Sequence, residues 1–183
     1  MNTQTLYQKT LLFAAKKHTS VNQVLSGSEL PYIVHLSNVA MEILIASQHS
    51  KEFDLNFAIQ VALLHDTIED TETTFEEIEA NFNTEIAEAV LALTKNETIE
   101  KSKKMIDSLT RIKKLRKEVW AIKLADRITN LQSPPNHWDA EKIQNYYKEA
   151  ILISETLSGS NEYLENRLKY KIEEYIKYLV ISH

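Results

Sequence analysis

Apolar side chains recur along this chain at intervals of three and four residues, the period of a helix that buries one face. Leu6, Leu11, Leu12, Ala14 and Ala15 set the inward face of a first helix over 3–17, and a loop rich in Ser, Asn and Gly follows over 18–30. Pro31 suits the first turn of a second helix to about residue 47, because its missing N–H would have had no partner there. Asp54 is placed to cap a third, which carries an apolar run into His65 and Asp66. Thr74 and Glu77 have capping-box spacing for a short helix to about residue 82, and Asn83 or Thr84 opens another through Ile86, Val90 and Leu93 to Thr94. A basic stretch over 101–117 keeps Met105, Ile106, Leu109, Ile112 and Leu115 at helical spacing, and an apolar segment over 119–131 is stopped by Pro134-Pro135. Asp139 caps a long helix to residue 158, closed by Gly159. Ser160 caps a last helix to about Val180, whose packing stripe is Tyr163, Leu164, Leu168, Ile172, Ile176 and Leu179. Only two glycines and three prolines punctuate the chain, and no stretch alternates in the manner of a strand. The pattern predicts an all-α fold, one domain over 1–183 with about eight to ten helices.

The run Phe57-Ala-Ile-Gln-Val-Ala-Leu-Leu-His-Asp-Thr-Ile-Glu-Asp70 concentrates the chemistry. Residues that pack in a core lead straight into charged ones, and a buried charge without a partner costs several kcal/mol or more. If the run stays helical, His65 and Glu69 are four residues apart, Asp66 and Asp70 likewise, and all four lie on neighbouring parts of one surface. A metal accounts for His65 and Asp66, since neutral imidazole with carboxylate suits Mn, Fe or Zn, and Glu69 and Asp70 are then spaced to orient or deprotonate a water. His35 stands one turn into the second helix among Ile33, Val34, Leu36 and Val39, the setting of a core histidine or of a ligand with apolar support. Asp126 ends an apolar segment in the same way, with Asn130 one turn on. Its ordinary partners would be Lys123 or Arg127, side chains long enough to reach water instead.

Composition narrows the chemistry. Without cysteine there is neither a disulfide scaffold nor a thiolate site, so a metal must be held by His, Asp, Glu or Asn. The net charge of −5, from 26 acidic and 21 basic residues, argues against a nucleic-acid partner, whose backbone calls for a basic surface. The N-terminus lacks a basic segment followed by an apolar one, and no apolar run approaches membrane-spanning length, which predicts a cytoplasmic protein without a membrane partner. The local exception in charge is the basic stretch over 101–117, either a solvated face or a wall for a phosphorylated ligand.

His35, then His65-Asp66, then Asp126 follow the ligand order of the HD-domain metal-dependent phosphohydrolases. The phrases Phe13-Ala-Ala-Lys-Lys-His18, Pro31-Tyr-Ile-Val-His35, Ala62-Leu-Leu-His-Asp-Thr-Ile-Glu-Asp-Thr71 and Lys123-Leu-Ala-Asp-Arg-Ile-Thr-Asn-Leu131 resemble the hydrolase domain of RelA/SpoT enzymes and the stand-alone small alarmone hydrolases, in order and over nearly the whole chain. The resemblance implies an HD-domain helical bundle and one manganese ion on His35, His65, Asp66 and Asp126, with Fe, Co or Zn acceptable to the same ligands. It implies Glu69 and Asp70 as the catalytic pair that activates a water. The implied reaction removes the 3′-pyrophosphate of guanosine tetra- or pentaphosphate, a small-molecule nucleotide substrate, to give GDP or GTP and pyrophosphate. Tyr32, Asn130 and Tyr146 match positions at the nucleotide.

One segment departs from the family. Alarmone hydrolases usually carry an Arg-Lys pair before Pro-Tyr, facing the phosphates, whereas Asn22-Gln23-Val24-Leu25-Ser26-Gly27 holds neither. Lost charge-assisted contacts of about 1.5–3 kcal/mol each call for compensation. Lys16, Lys17 or the basic stretch could supply it, and Lys103 and Lys104 are the expected contributors to substrate binding. Otherwise the substrate is another phosphomonoester, such as the 2′-phosphate of NADPH. A third reading is a nucleotide sensor on the same scaffold, for which Glu69 and Asp70 would have no use.

Overall fold

A computed structural model describes residues 1–179; the end expected for the last helix at Val180 lies outside the described residues. Ten helical segments follow one another: α1 (Thr3–Ser20), α2 (Ile33–Gln48), α3 (Leu55–Leu64), α4 (Thr67–Asp70), α5 (Phe75–Asn81), α6 (Thr84–Leu93), α7 (Lys101–Ile112), α8 (Lys117–Asn130), α9 (Ala140–Thr156) and α10 (Glu162–Leu179). Among the described residues there is no strand, only an isolated bridge between Val24 and Pro31.

The centre is α3. Phe57, Ala58, Ile59, Val61, Ala62, Leu63 and Leu64 are all buried, because α1, α2, α6 and α8 pack around this helix. A helix apolar on every side needs such a jacket. Leu36, Val39, Ala40, Ile43 and Ala46 line the inner face of α2, while Val119, Ile122, Leu124, Ala125 and Ile128 line α8. These two helices pack on each other and on α3; α9 and α10 pair behind α8, and α5, α6 and α7 form the other flank. The expected caps form at Asp54, Thr74, Asn83 and Asp139, each accepting from the backbone N–H three residues on. At Thr74, Glu77 does not complete a capping box but pairs with Lys17 at 2.5 Å.

Several expectations change in ways that shape the site. The first helix reaches Ser20 and buries Thr10, Ala14 and His18, while Leu12 is 62% exposed because it lies on the face away from α3. Pro31 does not open α2: it pairs with Val24, and the helix begins at Ile33. The third helix breaks at the His-Asp pair. Asp66 leaves helical geometry at φ −104°, ψ 0°, and its carbonyl then accepts from Asp70 N–H at 2.9 Å as α4 resumes. The basic stretch also splits, with α7 ending at Ile112 and α8 starting at Lys117, and Ile106 faces solvent. The N–H of Leu164 is capped by Asn161 at 3.2 Å rather than by Ser160, and the stripe of α10 passes through buried Tyr175 instead of exposed Ile176.

Candidate metal centre

Three separate parts of the chain deliver side chains to one point. His35 comes from the first turn of α2, His65 and Asp66 from the break between α3 and α4, and Asp126 from the middle of α8. The Nε2 atoms of His35 and His65 are 3.3 Å apart. Asp126 Oδ1 lies 3.4 Å from the first and 3.7 Å from the second, and Asp66 Oδ2 lies 3.6 Å and 2.9 Å from them. His35, His65 and Asp126 are buried and together form a set whose ligand atoms could share one ion. Atoms bound at about 2.0–2.2 Å to a single ion stand roughly 2.8–3.6 Å apart, close to the 2.9–3.7 Å seen.

Proton placement follows from the outer partners. His65 Nδ1 is 2.8 Å from the carbonyl oxygen of Ala62, which can only accept, so Nδ1 carries a proton and Nε2 is turned to the carboxylates. Thr129 uses its hydroxyl hydrogen on Asp126 O at 2.9 Å, so its oxygen accepts from His35 Nδ1 at 3.3 Å and His35 Nε2 points inward as well. The two Nε2 atoms and two carboxylate oxygens thus face one another. Burial by itself would lower the His65 pKa, but the Asp66 charge and hydrogen bonds to Asp126 and Asp66 hold it well above the usual imidazole range. Burial opposes charge on Asp126 too, and Lys123 with the two imidazoles keeps its carboxyl well below the usual carboxylate range. A buried donor set of imidazole nitrogen and carboxylate oxygen suits a divalent ion of the Mn, Fe, Co or Zn type.

A family model described as HD domain matches residues 10–158. The chain belongs to the HD-domain family. Among relatives of this HD-domain chain, the Danio rerio protein named guanosine-3′,5′-bis(diphosphate) 3′-pyrophosphohydrolase MESH1 is 34% identical over 166 residues, covering 88% of this chain and 89% of that one. The Homo sapiens protein of the same name is 30% identical, covering 88% and 90%. A solved structure described as a metazoan ortholog of SpoT that hydrolyzes ppGpp superposes with a TM-score of 0.81 at 28% identity, covering 92% of this chain and 94% of that one.

The HD-domain centre has neighbours that the spacing of residues did not show. Asp126 divides its oxygens: Oδ1 faces the imidazoles and accepts from Asn130 Nδ2 at 2.6 Å, and Oδ2 takes Lys123 Nζ at 3.0 Å. Lys123 and Arg127, expected to reach water, are 8% and 4% exposed, because α9 and α10 close over α8. Tyr32 donates to Asp66 Oδ2 at 2.5 Å. The Tyr32 hydroxyl and Asn130 Nδ2, at positions matched to the nucleotide, thus each donate to one of the converging carboxylates. Glu69 and Asp70 part company where α3 gives way to α4. Glu69 accepts from Lys95 Nζ at 2.5 Å and from Lys95 N–H at 2.9 Å, so both its oxygens are held. Among the described residues, the Asp70 side chain accepts only from Gln23 Nε2, at 2.8 Å. Burial and the charges of Asp66 and Glu69 push its carboxyl above the usual range, partly countered by Gln23.

Farther out, the Arg127 guanidinium carbon sits over the Tyr146 ring at 4.0 Å and the group reaches Glu149 at 3.2 Å. Tyr146 lines a cavity of about 890 Å³ between α7 and α9, together with Lys101, Lys142 and Lys148. Lys103 and Lys104 are turned to carboxylates, to Glu100 at 2.9 Å and Glu97 at 2.5 Å. His18 and Thr129 stand in phrases shared with the family and Gln23 in the atypical loop, but neither they nor Lys95 had a role legible in the sequence, for each matters only through a residue distant from it along the chain or across a loop.

Proposed function

We propose that this chain is a manganese-dependent hydrolase that removes the 3′-pyrophosphate from guanosine tetra- or pentaphosphate, acting as a single cytoplasmic domain. The observation that carries this reading is the convergence of His35, His65, Asp66 and Asp126, with Asp70 and Glu69 next along the chain. The relatives named for that activity, which cover nearly nine-tenths of the chain, support the choice of substrate.

When bound, the ion supplies a Lewis acid that polarises the phosphoryl group and lowers the pKa of the attacking water. His35, His65, Asp66 and Asp126 would hold it, with Thr129 and the Ala62 carbonyl engaging the Nδ1 atoms so that both Nε2 atoms are presented to it. Asp70 accepts the proton of the water as its oxygen attacks the phosphorus next to the ribose 3′-oxygen. The bond between that phosphorus and the 3′-oxygen breaks; the 3′-oxygen regains a proton, and pyrophosphate leaves with the oxygen of the water. A carboxyl raised above its ordinary range accepts a proton nearer neutrality than a free one, which favours Asp70. Glu69, fixed at both oxygens by Lys95, holds negative charge still beside it. The cavity beside Tyr146 is of nucleotide size. Lys101, Lys142 and Lys148 offer charge to the phosphates there, between Asp139, Glu141 and Glu149. The exposed pair of Lys103 with Glu100 is worth about 0–1 kcal/mol, so its ammonium group is free to exchange its partner for a phosphate; Lys104 makes a similar contact to exposed Glu97.

The test is a product assay on guanosine tetraphosphate with and without manganese. Pyrophosphate release only with the metal is the expected result. Orthophosphate from NADPH in its place would move the substrate to the 2′-phosphate, the reading favoured by a loop without Arg or Lys. Tight binding without turnover would make the chain a sensor. Removal of charge at both Lys103 and Lys104 is expected to lower kcat/KM about tenfold, the equivalent of about 1.4 kcal/mol, and an unchanged value would take them out of the site.

A further inference from the structure

The loop between α1 and α2 brings no cation to the site, but it does bring Gln23. The end of α1 explains how. Asn22 is left-handed at φ 54° and donates its N–H to Thr19 O at 3.0 Å, while Gln23 N–H donates to His18 O at 3.0 Å. This closing pattern sets the second residue past the cap over the third residue before it, so Gln23 comes to rest above His18. On its other side the Gln23 carbonyl accepts from Tyr32 N–H at 3.2 Å, and the neighbouring bridge of Val24 with Pro31 pins the loop back on itself.

The side chain is held as firmly as the backbone. Gln23 Oε1 is 2.5 Å from His18 Nδ1, and Gln23 Nε2 donates to Asp70 Oδ2 at 2.8 Å. A carboxylate oxygen accepts, so the nitrogen end of the amide belongs on Asp70 and the oxygen end on His18. That oxygen can only accept, which places the imidazole proton on Nδ1. His18 is 2% exposed, its ring packs on Tyr32 at 4.9 Å, and its Nε2 is buried without a hydrogen-bond partner among the described residues. Desolvation by this burial lowers its pKa, so the ring is neutral and has one proton to place. With the proton on Nε2 instead, Nδ1 would call for the amide nitrogen, the amide would turn over, and Oε1 would face the Asp70 carboxylate.

We propose that Gln23 is a positioning residue for Asp70, and that buried His18, by carrying its proton on Nδ1, decides which end of the Gln23 amide the carboxylate meets. The inference rests on the reading of the chain as a hydrolase in which Asp70 accepts the proton. It gives the atypical loop a role: a neutral donor orients the catalytic carboxylate where the family usually places cations toward phosphates. Since Gln23 itself touches neither the ion nor the substrate in this arrangement, its removal should slow the chemical step without loosening binding.

The first experiment needs neither metal nor substrate. In protein labelled with 15N-histidine, NMR should show His18 protonated at Nδ1, and Gln23→Met should release that preference toward the Nε2–H form common in water. The second is kinetic, on the manganese-loaded enzyme with guanosine tetraphosphate. Gln23→Met and His18→Leu should each lower kcat about tenfold, with KM within about twofold and metal affinity unchanged. His18→Asn, whose amide N–H can replace the Nδ1–H, should recover most of the loss. The double variant Gln23→Met with His18→Leu should be no slower than the slower single variant, because both act through one contact. An Nε2-protonated His18 in the wild type, an unchanged kcat in Gln23→Met, or losses that multiply in the double variant would overturn the proposal. If the wild type releases no pyrophosphate, it is the hydrolase reading that fails, and the NMR result still decides the His18–Gln23 arrangement.

Discussion

Asp126 shows how much one carboxylate does in this protein. One oxygen meets two imidazole nitrogens and the other meets buried Lys123. Asp126→Asn keeps the shape and removes the charge, and should abolish stoichiometric metal binding by calorimetry. Thr129→Val removes the acceptor behind His35 Nδ1, along with the hydroxyl's own bond to Asp126 O. Metal affinity should fall about 10–100-fold, the usual cost of losing an outer partner of a ligand histidine. The pH dependence has a definite sign. In the metal-free protein the His65 pKa is held well above its ordinary value by Asp66 and Asp126, so below that raised pKa an incoming ion must displace a proton. Metal affinity should therefore weaken as pH falls, approaching about tenfold per unit for one displaced proton, and titrations at several pH values check it.

At the scale of elements, the break between α3 and α4 matters as much as the helices. An unbroken helix would have kept Glu69 and Asp70 on the ligand face; the turn at Asp66 sends Glu69 to Lys95 and Asp70 to Gln23. The apolar run from Phe57 announced this helix in the sequence, whereas its interruption depends on Thr67, which donates to Leu64 O at 2.6 Å, and on partners elsewhere in the chain. The start of α3 is likewise tied to α8. Glu118, 7% exposed, accepts from Asp54 N–H at 2.9 Å and from Arg116. Burial tends to raise the Glu118 pKa, but these contacts lower it overall. Such a group stabilises the fold above its unfolded pKa, and the contribution is lost as pH falls through the lower folded value. Glu118→Ala should cost about 2 kcal/mol in urea denaturation at neutral pH, and much less in strong acid, with metal affinity unchanged.

For the molecule as a whole, the candidate centre is also a clasp. Its ligands join α2, the α3–α4 turn and α8, so an ion that binds only the folded chain should stabilise all three against separation. At a hundredfold excess over the dissociation constant, manganese should add about 2.7 kcal/mol. That corresponds to a rise of roughly 5–10 °C in Tm for a chain of this size, reversed by a chelator, and calorimetric scans measure it. Helical class, most caps and the four side chains that converge on one point were legible in the sequence, because helix periodicity and capping act within a few residues and those side chains stand in or at the ends of apolar runs. Which face of α1 is inward, the burial of Lys123 and Arg127, the parting of Glu69 from Asp70, and the link from His18 through Gln23 were decided by tertiary packing. Each of these depends on what a second element places opposite a side chain, and local spacing carries no record of that.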